Sequence, residues 1–111
     1  MTEQRWIAEI EFVEKYFPHF TPFETRSGMA GFAGVIRGRR RDYQVVIKVS
    51  AASYPATEPK TYMDPHPEEH HWIRVSGEPY LCYQRDKQWN PANSTFANCI
   101  LIGVKYVAAF D

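Results

Sequence analysis

Four prolines between residues 51 and 68 limit the fold of this chain more than any other feature: Pro55, Pro59, Pro65 and Pro67. Each proline lacks a backbone N–H and fixes its own φ angle, so it is disfavoured in helix interiors and in central strands. The segment "AASYPATEPKTYMDPHPE" therefore leaves room for only one brief, edge-like strand, at residues 60–63. We expect the longer helices and strands to lie on either side of it.

Both ends of the chain carry a helical pattern. In residues 2–17, which follow a candidate N-cap at Thr2 and stop before Pro18, apolar side chains recur every three or four positions: Trp6, Ile10, Val13 and Phe17. After Pro91 the same spacing returns, with Asn93 or Ser94 as candidate cap: Phe96, Ile100, Val104 and Val107. Because this second helix is apolar nearly all round, we expect it to be the buried spine of the protein.

The strands are predicted between these helices. Residues 43–50, "YQVVIKVS", are mostly β-branched and apolar, as expected for a strand. A strand at 32–37 precedes them across a turn, and the glycine-rich stretch from residue 21 is predicted to be a loop. A short strand at 73–75 completes an antiparallel β-meander of three to four strands. The chain is thus expected to form one α+β domain.

Charge and hydropathy exclude several kinds of partner. The chain has 13 basic and 13 acidic residues, a balance that argues against binding to nucleic acid or to an anionic membrane. We interpret the run "RGRRRD" at 37–42 as a solvated hairpin turn. No apolar stretch reaches 18 residues, and the first residues, "MTEQRWIAEIEF", lack a signal-peptide core. Two cysteines without a signal peptide predict free thiols in the reducing cytoplasm.

The two cysteines have different surroundings. Cys99 falls within the predicted second helix among apolar residues, where a small thiol is expected to pack as an inert side chain. Cys82 falls in a polar, irregular stretch near Arg85 and Lys87, whose positive charges would favour a reactive thiolate. From the residues alone, Cys82 is equally consistent with a nucleophile and with a structural thiol.

Histidines before Cys82 suggest a metal site only weakly. "HPEEH", His66 to His70, matches a zinc-binding pattern that must lie on a helix, but Pro65 and Pro67 interrupt the segment. Its first three residues also match the start of the zinc deaminase pattern, which needs a later P-C-x-x-C pair that the chain lacks. Neither a G-x-S-x-G motif nor a glycine-rich phosphate loop is present. The sequence therefore predicts no metal and no cofactor.

Short motifs follow one another along the chain in a distinctive order: Tyr54-Pro55 with Pro59, Gly77, Cys82, Trp89-Asn90-Pro91 and Ser94. They come after a predicted helix and β-meander and before a second helix. This order resembles the ubiquitin-conjugating (UBC-like) family, in which a strand runs into Y-P-x-x-P-P. In that family a glycine then precedes the catalytic cysteine, and W-S-P, a threonine and a helix follow. The resemblance covers residues 32–109 and implies a UBC-like fold with a long active-site loop.

The chain also departs from the family pattern. The family's H-P-N tripeptide falls on His70-His71-Trp72, so its oxyanion-stabilising asparagine is missing. Two extra residues separate Gly77 from Cys82, and Tyr83-Gln84 replaces the usual aspartate and leucine. We expect residues 1–111 to form a single UBC-like domain without the family's last two helices. These features resemble compact, divergent bacterial members, including those of antiphage operons of the CBASS type.

The resemblance implies a thioester-forming transferase. Cys82 would accept an acyl group from the C-terminus of a partner protein and pass it to an amine, with His70 or His71 meeting the oxyanion or acting as base. The implied donor is a ubiquitin-like protein or a cGAS-like nucleotidyltransferase, with or without a separate activating enzyme. The alternative is a catalytically inactive UBC-like or RWD-type adaptor: the cysteine favours the enzyme, and the missing asparagine favours the adaptor.

Overall fold

The protein has an α+β architecture with a helix near each end and a four-stranded antiparallel sheet between them. The computed structural model describes residues 1–65, 72–73, 80–81 and 89–111. The elements in chain order are α1 (Glu3–Tyr16), β1 (Thr21–Glu24), β2 (Met29–Arg37), β3 (Asp42–Ser50), β4 (Lys60–Asp64), β5 (Trp72–Ile73), β6 (Tyr80–Leu81) and α2 (Phe96–Phe110). Strands β1 to β4 lie in the sheet in sequence order, and β5 pairs with β6. This confirms the coarse α+β prediction.

Helix α1 forms where the apolar spacing predicted it. The Thr2 side chain accepts a hydrogen bond from the Arg5 backbone N–H and so caps the first turn. The helix ends at Tyr16, and Phe17 forms the C-cap immediately before Pro18. Val13 is buried in the core, and the other apolar side chains of the stripe are half-buried against it: Trp6, Ile10 and Phe17.

The start of the sheet differs from the prediction. Residues 21–24, expected in a loop, form β1 and pair with β2, which begins at Met29 rather than at Phe32. Pro22 is tolerated because β1 is an edge strand. The glycines of this stretch have different reasons: Gly28 lies in the turn before β2 with a positive φ of 89°, a Cβ atom at Gly34 would meet the Phe20 ring, and Gly31 lies against a neighbouring backbone. A Cβ atom at Gly31 would lie 1.9 Å from the carbonyl oxygen of Ile47 on β3.

Strands β3 and β4 follow the predicted pattern. Alternate residues of β3 are buried: Tyr43, Val45, Ile47 and Val49. Strand β4 lies between Pro59 and Pro65, and its register pairs Val45 with Met63 and Ile47 with Thr61. The prolines thus limit β4 to five residues, as their spacing required. The two-residue strand β5 begins at Trp72, one residue before the predicted strand at 73–75, whose last two residues lie outside the described part.

Helix α2 covers the sheet with one face only. Thr95, rather than Asn93 or Ser94, is its N-cap, and a reciprocal capping box joins Thr95 to Asn98. The buried face carries Phe96, Ala97, Cys99, Ile100, Gly103, Tyr106 and Val107. On the remaining surface Leu101 is 41% exposed and Phe110 is 42% exposed. The helix is thus the expected buried spine on one face only, and the expected burial of Cys99 is confirmed.

Candidate functional site

The three residues predicted to carry chemistry, Cys82, His70 and His71, lie outside the described residues. The same is true of Gly77 and of the "HPEEH" segment. Their roles therefore stay predictions. The structure does describe the chain segments on both sides of these residues. These segments show which parts of the fold lead into and out of the predicted site.

The pairing of β5 with β6 brings together the two segments that lead to the predicted catalytic residues. Trp72, the residue after His71, pairs with Leu81, the residue before Cys82, and the two strands are antiparallel. Strand β6 also lies beside β4, close to the main sheet. The backbone thus places the chain neighbours of a predicted base and a predicted nucleophile side by side.

Trp89, seven residues after Cys82, is attached to the proline-rich segment. Its indole Nε1–H donates a hydrogen bond of 2.7 Å to the backbone carbonyl of Pro55. The Trp89 ring also packs on Tyr54, with 5.8 Å between ring centroids. We expected Trp89 and Pro91 to brace the predicted cysteine loop by packing. Trp89 packs against the proline-rich segment and Pro91 is exposed in a turn, whereas the cysteine loop lies outside the described residues, so its bracing stays a prediction.

Tyr54, in this proline-rich segment, is buried and contacts both helices. Its ring packs against Phe96 at the start of α2, with centroids 4.8 Å apart, and only 2% of Tyr54 is exposed. Its hydroxyl donates a hydrogen bond of 2.5 Å to the carboxylate of Glu9 on α1. The Tyr-Pro motif is therefore held in place from both α1 and α2.

Glu9 is the centre of a buried polar cluster. One carboxylate oxygen accepts from Arg5 Nε at 2.8 Å as well as from Tyr54, and the other accepts from the Phe96 backbone N–H at 2.9 Å. Arg5 also donates to the Ser94 carbonyl at 2.9 Å. The Phe96 N–H is one of the donors left unpaired at a helix N-terminus, where negative charge is favoured. The cluster joins α1, the Tyr-Pro segment and the start of α2.

The sequence analysis missed Glu9 because its charge suggested an exposed position. Glu9 is only 2% exposed. It lies three residues after Trp6 and four before Val13, which places it on the apolar stripe of α1. A carboxylate on such a stripe is the signal that would have identified it, because buried charges occur where partners are available.

Two members of the cluster, Tyr54 and Arg5, keep their protonation states at neutral pH. Burial, and then the hydrogen bond to the Glu9 carboxylate, raise the pKa of the Tyr54 hydroxyl far above its ordinary value. Burial opposes the charge of Arg5, but hydrogen bonds to Glu9 and Tyr54 outweigh it and raise the pKa of Arg5. Tyr54 therefore stays neutral and Arg5 stays charged. The cluster is suited to fixing geometry rather than to moving protons at neutral pH.

The described ranges contain neither a metal centre nor a membrane-spanning helix. No three His, Cys, Asp or Glu side chains within them are grouped so as to hold a metal ion. Neither of the two helices described is long and apolar enough to cross a bilayer.

No protein-family model, curated protein or solved structure matches the chain. A functional assignment therefore has to come from the residues and the geometry of the chain itself.

Proposed function

We propose that the chain is a ubiquitin-conjugating-like transferase in which Cys82 carries an acyl group as a thioester. The observation that supports this most is the contact between two motifs of the resemblance. Trp89 of "WNP" donates a hydrogen bond to Pro55 of the Tyr-Pro segment, although the two residues are 34 positions apart. Both motifs therefore belong to one structural unit, which flanks Cys82 in the sequence.

The order of elements supports the same proposal. Helix α1 precedes a four-stranded meander, the Tyr54–Pro59 segment follows β3, and α2 begins after Trp89. The pairing of Trp72 with Leu81 brings the segments that lead to His71 and Cys82 together. In the proposed enzyme, a histidine that precedes Trp72 would act on the thioester at Cys82, which follows Leu81.

The proposed reaction has two steps. In the first, the Cys82 thiolate attacks the thioester that joins the partner's C-terminus to an activating enzyme, and the thiolate of the activating enzyme leaves as the new thioester forms. In the second, an acceptor amine attacks that carbonyl, the Cys82 thiolate leaves, and the amine proton passes to His70 or His71. Because asparagine is missing, His70, His71 or a backbone N–H must stabilise the oxyanion.

The partner is proposed by resemblance. The compact bacterial members that the chain resembles suggest a nucleotidyltransferase C-terminus or a ubiquitin-like protein as donor, in antiphage defence. A reducing cytoplasm would keep Cys82 available as a thiol. The second candidate function is an adaptor of the same fold, and it is favoured by Trp72 standing where the family has its asparagine.

The test combines the protein with the products of its neighbouring genes, adds ATP, and separates the mixture on a non-reducing gel. The transferase forms an adduct that a thiol reductant cleaves and that Cys82→Ala abolishes. Cys82→Ser instead forms an oxygen ester that resists the reductant. Cys99→Ala is the matched control, because its thiol is buried in α2, and it forms the adduct normally. A partner that binds but forms no adduct identifies the protein as an adaptor.

A zinc hydrolase is the third class, and metal analysis separates it from the other two. We expect the purified protein to contain no stoichiometric zinc, because prolines interrupt the histidine segment. Zinc present at one ion per chain and lost in His66→Ala would assign a metal site instead.

A further inference from the structure

The turn between β2 and β3 presents a dense group of positive charges. Arg39, Arg40 and Arg41 lie in the four-residue turn, and Arg37 ends β2 next to it; all four are exposed. Among the described residues the only salt bridge joins Arg5 and Glu9. The guanidinium groups of Arg37 and of the three turn arginines therefore form no salt bridge with a carboxylate in the described part of the chain.

The turn has a fixed shape. Its ends are closed by a hydrogen bond of 2.9 Å from the Gly38 N–H to the Arg41 carbonyl. Asp111, just after α2, accepts a hydrogen bond of 2.7 Å from the Arg40 N–H and another from the Tyr43 hydroxyl. Asp111 packs so closely that a Cβ atom at Gly38 would lie 2.4 Å from its carboxylate. The backbone that carries the arginines is thus hydrogen-bonded to the residue that follows α2.

An apolar groove runs between this turn and α2. Its walls are formed by Arg37, Gly38 and Arg39 on one side and by Val104, Val107 and Ala108 on the other. Leu101, 41% exposed and three residues before Val104, extends the apolar stripe by about one turn of the helix. Lys105 is exposed on the same helix. The groove therefore combines an apolar surface on α2, which we call its floor, with exposed cationic side chains around it, which we call its rim.

Two carboxylates lie in or beside the turn, fewer than its cationic side chains. They are Asp42, which is exposed at the start of β3, and Asp111, whose oxygens already accept the two hydrogen bonds from the turn and β3. Arg37 and Arg39 line the groove, and three further exposed cationic side chains lie in the same turn or on α2: Arg40, Arg41 and Lys105. The chain as a whole has no net charge, so this excess is local.

We propose that the groove binds an acidic segment of a partner protein that carries apolar side chains at helical or alternate spacing. Carboxylates would pair with the arginines, which bind them in a two-pronged geometry, while the apolar side chains cover Leu101, Val104 and Ala108. Charge complementarity gives such a segment its orientation and speeds its association. A nucleic acid would match the charge but would leave the apolar floor uncovered. Binding of this segment does not depend on the proposed chemistry of Cys82.

The test selects from a library of random 12-residue peptides displayed on phage, using the full-length protein as bait. We expect selected peptides to be rich in Asp, Glu and large apolar residues. A synthetic, labelled copy of the best peptide should bind with an affinity that falls at least tenfold in the double variant Arg39→Glu/Arg41→Glu. Ala108→Glu, which places a charge on the groove wall, should weaken binding by a similar factor.

Arg26→Glu is the matched control, because Arg26 is also exposed in a turn, between β1 and β2. It should leave the peptide affinity unchanged. Selection of neutral or basic peptides, or of none, would overturn the proposal. A labelled 20-nucleotide single strand that binds more tightly than the peptide, and loses affinity in the double variant, would assign the groove to nucleic acid. Self-association of the protein that only the double variant abolishes would assign it to a second copy of the chain.

Discussion

The carboxylate of Glu9 accepts a hydrogen bond of 2.5 Å from the hydroxyl of Tyr54, although the two residues are 45 positions apart and both are buried. This contact joins the first helix to the Tyr-Pro segment. Through the Phe96 N–H, the same carboxylate also holds the start of the last helix. One acidic side chain thus connects the elements that flank the predicted cysteine segment.

Replacement of Glu9 should therefore destabilise the whole fold. In Glu9→Gln the amide retains one acceptor oxygen, so it cannot accept from Arg5, Tyr54 and Phe96 together. We expect the free energy of unfolding to fall by about 2–4 kcal/mol, the range for breaking a buried ionic network. Urea denaturation measures this change. Glu14→Gln, an exposed change on the same helix, should alter stability by less than about 0.5 kcal/mol. Equal stability of the two variants would contradict the central role of Glu9.

Stability should also decrease in alkali because of Tyr54. Its pKa is raised above the ordinary value of 10.0, so the folded state holds the hydroxyl proton more tightly than the unfolded state does. The resulting contribution is complete below about pH 10 and is lost as the pH rises above it. Tyr43, whose pKa is also raised by burial and by Asp111, contributes in the same direction.

Urea denaturation at pH 8 to 11 tests this prediction. Tyr54→Phe removes the titrating group, so its stability should decrease less steeply above pH 10 than that of the unmodified protein. Tyr16→Phe, which changes an exposed tyrosine, should keep the original slope. If the stability of Tyr54→Phe decreased as steeply above pH 10 as that of the unmodified protein, Tyr54 would not be the cause of the decrease.

Glycine should be required at position 31 but not at position 103. A methyl group at Gly31 would overlap the Ile47 carbonyl, and the paired backbones of β2 and β3 have little freedom to separate. We expect Gly31→Ala to lower the free energy of unfolding by about 1–3 kcal/mol or more, as overpacked sites do. In Gly103→Ala the new methyl meets only the ends of the Met63 and Ile36 side chains, at 3.2 and 3.3 Å. The gain in helix propensity, about 1 kcal/mol, should offset that contact. Thermal unfolding measures the stability of the two variants. A Gly31→Ala variant as stable as Gly103→Ala would contradict the prediction.

Loss of the Trp89 hydrogen bond should loosen the contact between the two motifs. Trp89→Phe keeps an aromatic ring near Tyr54 but leaves the Pro55 carbonyl without the indole donor. We expect a loss of about 1–2 kcal/mol in the free energy of unfolding. If the proposed function is right, the rate of adduct formation at Cys82 also falls in this variant. An unchanged stability would mean that the indole N–H does not contribute.

The regular elements were predictable where local sequence determines them. The spacing of Trp6, Ile10 and Val13 predicted α1, and the prolines on either side of β4 limited its length. The errors occurred where long-range contacts decide. Gly31 lies within β2, where only glycine fits against the Ile47 carbonyl of β3, and glycine by itself is equally typical of a loop.

The candidate site also combines features that local sequence predicts with features that depend on long-range contacts. The sequence predicted that Trp89 packs in a structural role, and the structure shows that its partners are Pro55 and Tyr54. The buried position of Glu9 depends on donors from three separate elements, which a local pattern does not reveal. The face of α2 left exposed could not be predicted either, because apolar periodicity does not specify what covers each side of a helix.

The most direct measurement of the central claim is the identity of the cysteine that carries the acyl group. After reaction with the donor, tryptic digestion without reductant should separate residues 75–85, which contain Cys82, from residues 88–105, which contain Cys99. The account predicts that mass spectrometry finds the acyl group on the 75–85 peptide alone and that a thiol reductant releases it. Acylation of the 88–105 peptide, or of neither peptide while the donor remains bound, would contradict it.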